Sequence, residues 1–372
     1  VASAPAALPY QRVLLQGIDI SANVRFVDVE DHDRLIDRAV VELDDPAGLA
    51  SNTPREGNTL LVELGWSNVF ATVFEGAITR VEIREDGCEP ARVRFTALDF
   101  ASRIQKRAFE ATDDVGSLSS IVRTIVTRAP DAGVTVAQIE PAADPSYGAT
   151  TPLRQTQDDW AFITEQSRRA GCIAFVEYND ARSQFYFVPL ARLVTSEPVG
   201  TLSNIGTTNR ILSLHLDRDA ATADPRRGTA TIDAATGATH VTAPPAAPAE
   251  PSQSPSARVL DAADRAGAPI DNAIAVAAQA IETPATLRPA GLAAGLSAGD
   301  AAQDPTRTLG WRARGSCVGM VNIRAKTRIT LAGVASWAET DWYVRRARHR
   351  VATPGANEDM LASYVTEFEL TR

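Results

Sequence analysis

Apolar and polar residues alternate along most of the first hundred positions. "RVLLQGIDIS", "NVRFVDVE", "DRAVVELDDP", "NTLLVELGW", "VFATVFEGAITRVEIRE" and "ARVRFTALDF" follow the two-residue period of a half-buried strand and are rich in Val, Ile and Phe. Gly57, Asn58, Gly65, Gly76 and Gly87 punctuate these runs, and no long helical pattern separates them. Strands at this spacing predict a first antiparallel β domain, a barrel or sandwich, over residues 1–110.

The period then changes. "DVGSLSSIVRTIVTRAP" sets Leu118, Ile121, Val122, Ile125 and Val126 on one helical face, and Pro130 follows as a stop. "TQDDWAFITEQSRRAGC" predicts a second helix: Thr156 or Asp158 caps it, Arg168 and Arg169 sit in its last turn, and Gly171 ends it. Its inner stripe is Trp160 and Ile163, with Ser167. "CIAFVEYN" and "SQFYFVPL" then read as a hairpin, so residues 111–190 form a small α/β domain.

Alternation resumes at "RILSLHLDRD" and "GTATIDA" and returns after a long interruption in "GSCVGMVNIRAKTRITLAGV", "DWYVRRARHRV" and "SYVTEFELTR". The interruption is Ala- and Pro-rich. The pattern therefore predicts a second β domain, residues 191–235 and 306–372, split by an insertion over 236–305 with linker composition and one short helix at 270–281. The fold class is α+β, mainly β, with two β-barrel domains flanking the α/β domain.

Length and composition narrow the picture. The 372 residues exceed what a single core serves. With 44% hydrophobic and 22% charged residues the chain is of globular type, and no apolar run is long enough for stable membrane insertion. The first residues lack the basic start and apolar core of an export signal, so a cytosolic product is expected. Cys88, Cys172 and Cys317 are scattered and predict neither disulfides nor zinc. A net charge of −9 argues against a general nucleic-acid binder, although a local basic strip stays open.

No reaction chemistry is legible. His32, His215, His240 and His349 share no ligand spacing. "GSCVG" at 315–319 has its serine one position too early for a nucleophile elbow, and its flanks are strand-like. "DVEDHD", with Asp28, Glu30, Asp31 and Asp33, lacks the spacing and turn glycine of a calcium loop, and reads as a solvated loop between strands. Gly291, Gly295 and Gly299 lack the Lys-Ser/Thr ending of a phosphate loop. No catalytic, cofactor-binding or metal-ligating set is predicted.

The sharpest feature is the basic run of "DWYVRRARHRV". Strand parity puts Trp342, Val344, Arg346, Arg348 and Arg350 on one face, and Tyr343, Arg345, Ala347, His349 and Val351 on the other. In "SYVTEFELTR", Tyr364, Thr366, Phe368 and Leu370 form an apolar face, and Val365, Glu367 and Glu369 a polar one. If the two strands pair, the arginine row lies beside the glutamates, where opposite charges contribute roughly 0.2–1 kcal/mol per pair.

The order of these parts resembles the late control gene D family of phage tail proteins, the baseplate hubs related to the hub portion of type VI secretion spike proteins and of other contractile injection systems. The resemblance rests on Asp159, Trp160, Phe162, Ile163 and Gly171 in the helix and its end, and on Trp342, Val344, His349, Tyr364, Thr366 and Phe368 in the closing strands. "RITLAGVASWAETDWYV" matches the family's entry into that hairpin, with Ala335 and Asp341 where glycines are usual. The resemblance implies tube-like β domains and a homotrimer that joins a hexameric tail tube, or its initiator, to a trimeric spike. It also implies baseplate wedge proteins as neighbours, tape measure or cargo in the channel, and assembly in the bacterial cytoplasm. Because the sequence stops after the second barrel, the spike is expected to be a separate polypeptide.

Two other readings remain at this point. A tail-associated cell-wall glycan hydrolase would use Asp159 or Glu165, although the helix itself accounts for both acids. A DNA or cargo contact would use the arginine strip, chiefly Arg346 and Arg348.

Overall fold

The structure is a computed structural model. It describes residues 9–45, 55–66, 69–85, 87, 91–105, 111–128, 132–141, 144–204, 211–218, 310–353 and 364–372, together with the backbone of 229–232, 239–242 and 286–289. The alternating runs of the first hundred residues form β1 (Pro9–Leu15), β2 (Val24–His32), β3 (Arg38–Asp45), β4 (Thr59–Trp66), β5 (Val69–Arg84) and β6 (Ala91–Asp99). They pair antiparallel in the spatial order β2-β3-β6-β5-β4-β1. Their apolar faces meet in one core built on Val27, Val29, Val41, Leu43, Val62 and Phe95.

The α/β portion follows. In α1 (Leu118–Thr127) Leu118, Ile121, Val122, Ile125 and Val126 are buried, and the Ser117 hydroxyl caps its start by accepting from the Ser120 amide. Pro130 lies outside the described residues. Strand β7 (Thr135–Ile139) leads to α2 (Asp159–Arg169), whose cap is Asp158, accepting from the Ala161 amide at 2.9 Å. Gly171 leaves this helix at φ +63°, a backbone conformation that a side chain disfavours. Strands β8 (Cys172–Asn179) and β9 (Arg182–Pro189) are a hairpin whose turn, Asp180-Ala181, has both φ values positive, as a two-residue hairpin turn requires. Both helices pack on these strands around Ile125, Phe162, Ile163, Phe185 and Phe187.

The last portion contains β10 (Thr201–Ser203), β11 (Ile211–Arg218), β12 (Trp311–Val318), β13 (Arg328–Ala332), β14 (Asp341–Ala352) and β15 (Tyr364–Thr371). The order β11-β12-β15-β14 is antiparallel, and a third core lies beneath it around Trp311, Trp342, Val344, Phe368 and Leu370. The two β segments are joined edge to edge: β14 pairs β15 on one side and β2 on the other, so a single curled sheet runs from β11 to β1. The fold is mainly β.

Two expectations are corrected. A β-bulge between Val344 and Arg346 breaks the parity of β14. Trp342 and Val344 therefore face the core with Ala347, His349 and Val351, while Tyr343 packs against Ile173 and Leu190 of the α/β portion. "DVEDHD" is not a solvated loop, because Asp28, Glu30, Asp31 and His32 lie within β2, and Asp28, Asp31 and Asp33 are buried. Of the insertion, the backbone shows strands Thr239–Thr242 and Thr286–Pro289 flanking Thr229–Ile232. The helix expected at 270–281 lies outside the described residues.

Candidate functional site

The arginine row of β14 lies between two acidic rows on the polar face of the sheet. On the β2 side, the Arg346 Nε donates to Glu30 Oε1 at 2.6 Å, and Arg348 donates through Nε and Nη2 to the two oxygens of Asp28 at 2.8 and 2.6 Å. On the β15 side, Arg346 reaches Glu369 at 2.9 Å, while Arg348 and Arg350 share Glu367 at 3.5 and 3.1 Å. Arg38 of β3 extends the chain of charges by pairing with Glu30 at 2.9 Å. Bonding to Asp28 holds the Arg348 guanidinium above its ordinary range. Arg345, displaced by the bulge, leaves this row and stands 3.7 Å from Asp33.

A second charged cluster is buried where the three portions meet. The loop between β12 and β13 delivers Arg324 and Lys326; β2 and the turn after it deliver Asp31 and Asp37; β6 ends in Asp99, and β8 of the α/β hairpin brings Glu177. Arg324 donates to Asp31 at 2.8 Å and to Glu177 at 2.6 Å. The Lys326 ammonium donates to Asp31 at 2.6 Å and lies 3.5 Å from both Asp37 and Glu177. Asp31, Asp37 and Glu177 are close enough to one another to hold a metal ion, and the tethered ammonium supplies the positive charge among them. Lys326 has φ +69°, an unfavourable backbone conformation held by the hydrogen bond that its backbone N–H donates to the Val344 carbonyl.

Four acids face two bases here, and their protonation divides accordingly. Burial raises the carboxyl of Asp31, but Lys326 and Arg324 outweigh it and hold the group at about 2. Burial, with the charge of Asp31 next in size, pushes Asp37 well above the carboxylate range. Burial likewise lifts Asp99 to about 7 against the amides of Asp37 and Ala101 that it accepts.

The closing-strand signature residues come together in the interior. His349 Nε2 faces the Ile323 carbonyl at 3.0 Å, so it carries the ring proton and donates. Its Nδ1 then accepts from the hydroxyls of Tyr364 and Thr366 at 3.0 and 3.1 Å, and the Thr366 oxygen also accepts from the Met320 amide. Burial, reinforced by Arg324, pushes the imidazole down to about 4. Trp342 and Val344 belong to the third core, together with Phe368.

Asp159 is buried and accepts from Arg128 at 2.8 Å and Gln155 at 2.7 Å, while Trp160 meets Phe185 edge to face and Phe162 is buried. Glu165 accepts from Gln157 at 2.7 Å and pairs with Arg169 on the helix surface. Both acids of the hydrolase reading are thus occupied by structural partners. The glycines of "GSCVG" are packing positions: a Cβ on Gly315 would lie 2.3 Å from the Ser213 carbonyl oxygen, and one on Gly319 2.1 Å from the Tyr364 ring.

Sequence reading missed the buried cluster. Its available signal was parity, since Asp31 shares the inward face of β2 with Val27 and Val29. That pattern marks a buried carboxylate in need of a cation.

No protein-family model matches the sequence, and no curated protein matches it. The fold is similar to that of the tail protein from Neisseria meningitidis MC58, with TM-score 0.61 at 12% identity over 98% of this chain and 96% of that one. It is similar to the 43 kDa tail protein of prophage MuSo2 from Shewanella oneidensis, with TM-score 0.57 at 8% identity over 98% and 97% of the two chains. It is also similar to the E. coli c3393 protein, described as a component of the type VI secretion system with similarity to bacteriophage T4 tail proteins. There the TM-score is 0.56 at 9% identity, over 96% of this chain and 76% of that one. At these identities the likeness is one of fold.

Proposed function

We propose that the chain is a non-enzymatic structural hub in the baseplate of a contractile phage tail or injection system. In this reading it is assembled in the bacterial cytoplasm as a homotrimer. Each subunit contributes two tube-like β portions, so the ring meets a hexameric tail tube or tube initiator on one side. A trimeric spike joins it on the other, with wedge proteins around it and tape measure or cargo in the channel. The observation that carries the reading is the end-to-end match of the fold to tail proteins. The seam at β14 supports it, because one continuous hydrogen-bonded sheet joins both β portions of a subunit.

The test is native mass measurement of the purified chain, alone and after co-expression with candidate tube and spike proteins from the same genome. A trimer that binds both partners is expected. A monomer under every assembly condition overturns the proposal. The hydrolase reading has no further support, since Asp159 and Glu165 are each held by neighbouring side chains.

A further inference from the structure

The charges on the polar face are not evenly matched. Around β14 every arginine of the row meets a carboxylate. On β12 the pattern differs: Arg312 and Arg314 are both exposed, and neither forms an ion pair or a hydrogen bond among the described residues. The register explains why. Arg314 lies opposite Glu369 of β15, but that carboxylate is turned to Arg346 at 2.9 Å. Arg312 lies opposite Thr371 on β15 and Asp217 on β11, with no ion pair to the latter.

These two guanidinium groups border two adjoining depressions of about 440 Å³ each, which share His215, Arg314 and Glu369 in their walls. The floor beside Arg314 carries the Ser213 and Ser316 hydroxyls, hydrogen-bonded to each other at 2.7 Å. Arg312 and Arg314 are alternate residues of one strand, so their stems leave the sheet on the same side about 7 Å apart. That is also the repeat between alternate side chains of any extended polypeptide. Asp217, Glu367 and Glu369 stand in the same walls and the chain carries a net charge of −9, so a segment whose acids are few and spaced to meet the two arginines fits better than a polyanion charged along its whole length, such as a nucleic acid.

We propose that this trough binds an extended polypeptide segment with Asp or Glu at alternate positions, two successive acids pairing with Arg312 and Arg314. The site goes beyond the hub reading, and the residues named for it all belong to one chain.

The test is fluorescence anisotropy of the full chain with labelled twelve-residue peptides at low salt. An alternating Glu-Ser peptide is compared with a Glu-Glu-Ser-Ser peptide of identical composition and charge, and with a twelve-nucleotide oligo-dT. The alternating peptide is expected to bind about fivefold tighter than its rearranged partner, and to lose about tenfold or more in the Arg312→Glu/Arg314→Glu protein. Arg312→Gln/Arg314→Gln is the second variant should the first fail to fold, and exposed Arg123→Glu is the control that leaves binding unchanged. Equal affinity for the two peptides, absence of binding, indifference to both double variants, or oligo-dT binding as tightly as the alternating peptide overturns the proposal. Light scattering on the same samples reads the oligomeric state, so failure of the hub reading and failure of this one are seen separately.

Discussion

Arg348 holds Asp28 by two parallel hydrogen bonds, Nε to Oδ1 at 2.8 Å and Nη2 to Oδ2 at 2.6 Å, between residues 320 positions apart in the chain. The pair spans the junction of β14 with β2, where the first β portion meets the last. Its two-pronged geometry and the low exposure of Asp28 place it among the stronger ion pairs, whereas Glu369 is half exposed and meets Arg346 through a single bond. A double-mutant cycle with Arg348→Ala and Asp28→Ala is expected to give a coupling of about 1.5–3 kcal/mol by urea unfolding. The same cycle on Arg346 and Glu369 is expected to give about 0.5 kcal/mol or less. Equal couplings would show that burial and fork geometry do not set the strength of the seam.

Removing the ammonium of Lys326 leaves Asp31, Asp37 and Glu177 facing one another, with Arg324 still paired to Asp31 and Glu177. Lys326→Met is expected to cost about 3–5 kcal/mol near pH 8, the usual cost of stranding one partner of a buried pair. The sign with pH follows from Asp31, which Lys326 helps to hold at about 2. Without that cation its folded pKa rises, so acid neutralises the stranded charge and the deficit shrinks as pH falls. Urea unfolding of both proteins at pH 8 and pH 5 measures this, and a deficit that stays constant or grows in acid contradicts it.

How far the fold is legible depends on the range of the interaction. Local signals sufficed for α1, for α2 with its Asp158 cap and Gly171 end, and for the β8–β9 hairpin, because each is decided by spacing and capping within a dozen residues. Alternation assigned faces along β15, but it does not name a strand's partner. The pairing of β14 with β2 therefore has no local trace. One inserted residue at Arg345 was enough to turn Trp342 and Val344 to the face opposite the one parity assigned them. The trough at Arg312 and Arg314 was hidden for a related reason: which arginines are neutralised depends on side chains from three other strands.

Gly319 is the point where the two β portions touch through an indole. The Trp66 Nε1 donates to the Gly319 carbonyl at 2.8 Å, and the Trp66 and Tyr364 rings lie 5.6 Å apart. Tyr364 is fully buried and anchored by His349, so its ring has no room to yield to a methyl group placed 2.1 Å away. Gly319→Ala is expected to destabilise by about 1–3 kcal/mol, the range for overpacking a filled core. Adding Tyr364→Leu, which trims the opposing ring, should recover part of a loss that two independent substitutions would compound. Simple additivity of the two losses would show that the ring is not what excludes the side chain.

His349 gives the interior a pH dependence of opposite sense to that of the raised carboxyls. Its ordinary value is 6.5, and burial holds it at about 4 in the folded protein. Between those values the unfolded chain takes up a proton that the folded one refuses, so this group's contribution is constant above 6.5 and falls as pH drops toward 4. The loss is on the order of 3 kcal/mol across the window. Asp99, lifted to about 7, works the other way, its contribution being full below the ordinary carboxylate range and lost as pH rises toward 7. The two partly cancel in the intact protein, so the informative quantity is a difference. His349→Gln removes the imidazole's titration and leaves Asp99 in place. The variant should be less stable than the parent by about 1–3 kcal/mol at pH 7.5, where the parent's hydrogen bonds are intact. At pH 4.5 the gap should close or reverse, because the parent now loses the neutral-imidazole advantage and the variant does not. Urea unfolding at the two pH values decides the matter, and a gap that is the same at both means that His349 does not titrate differently in the folded and unfolded chains.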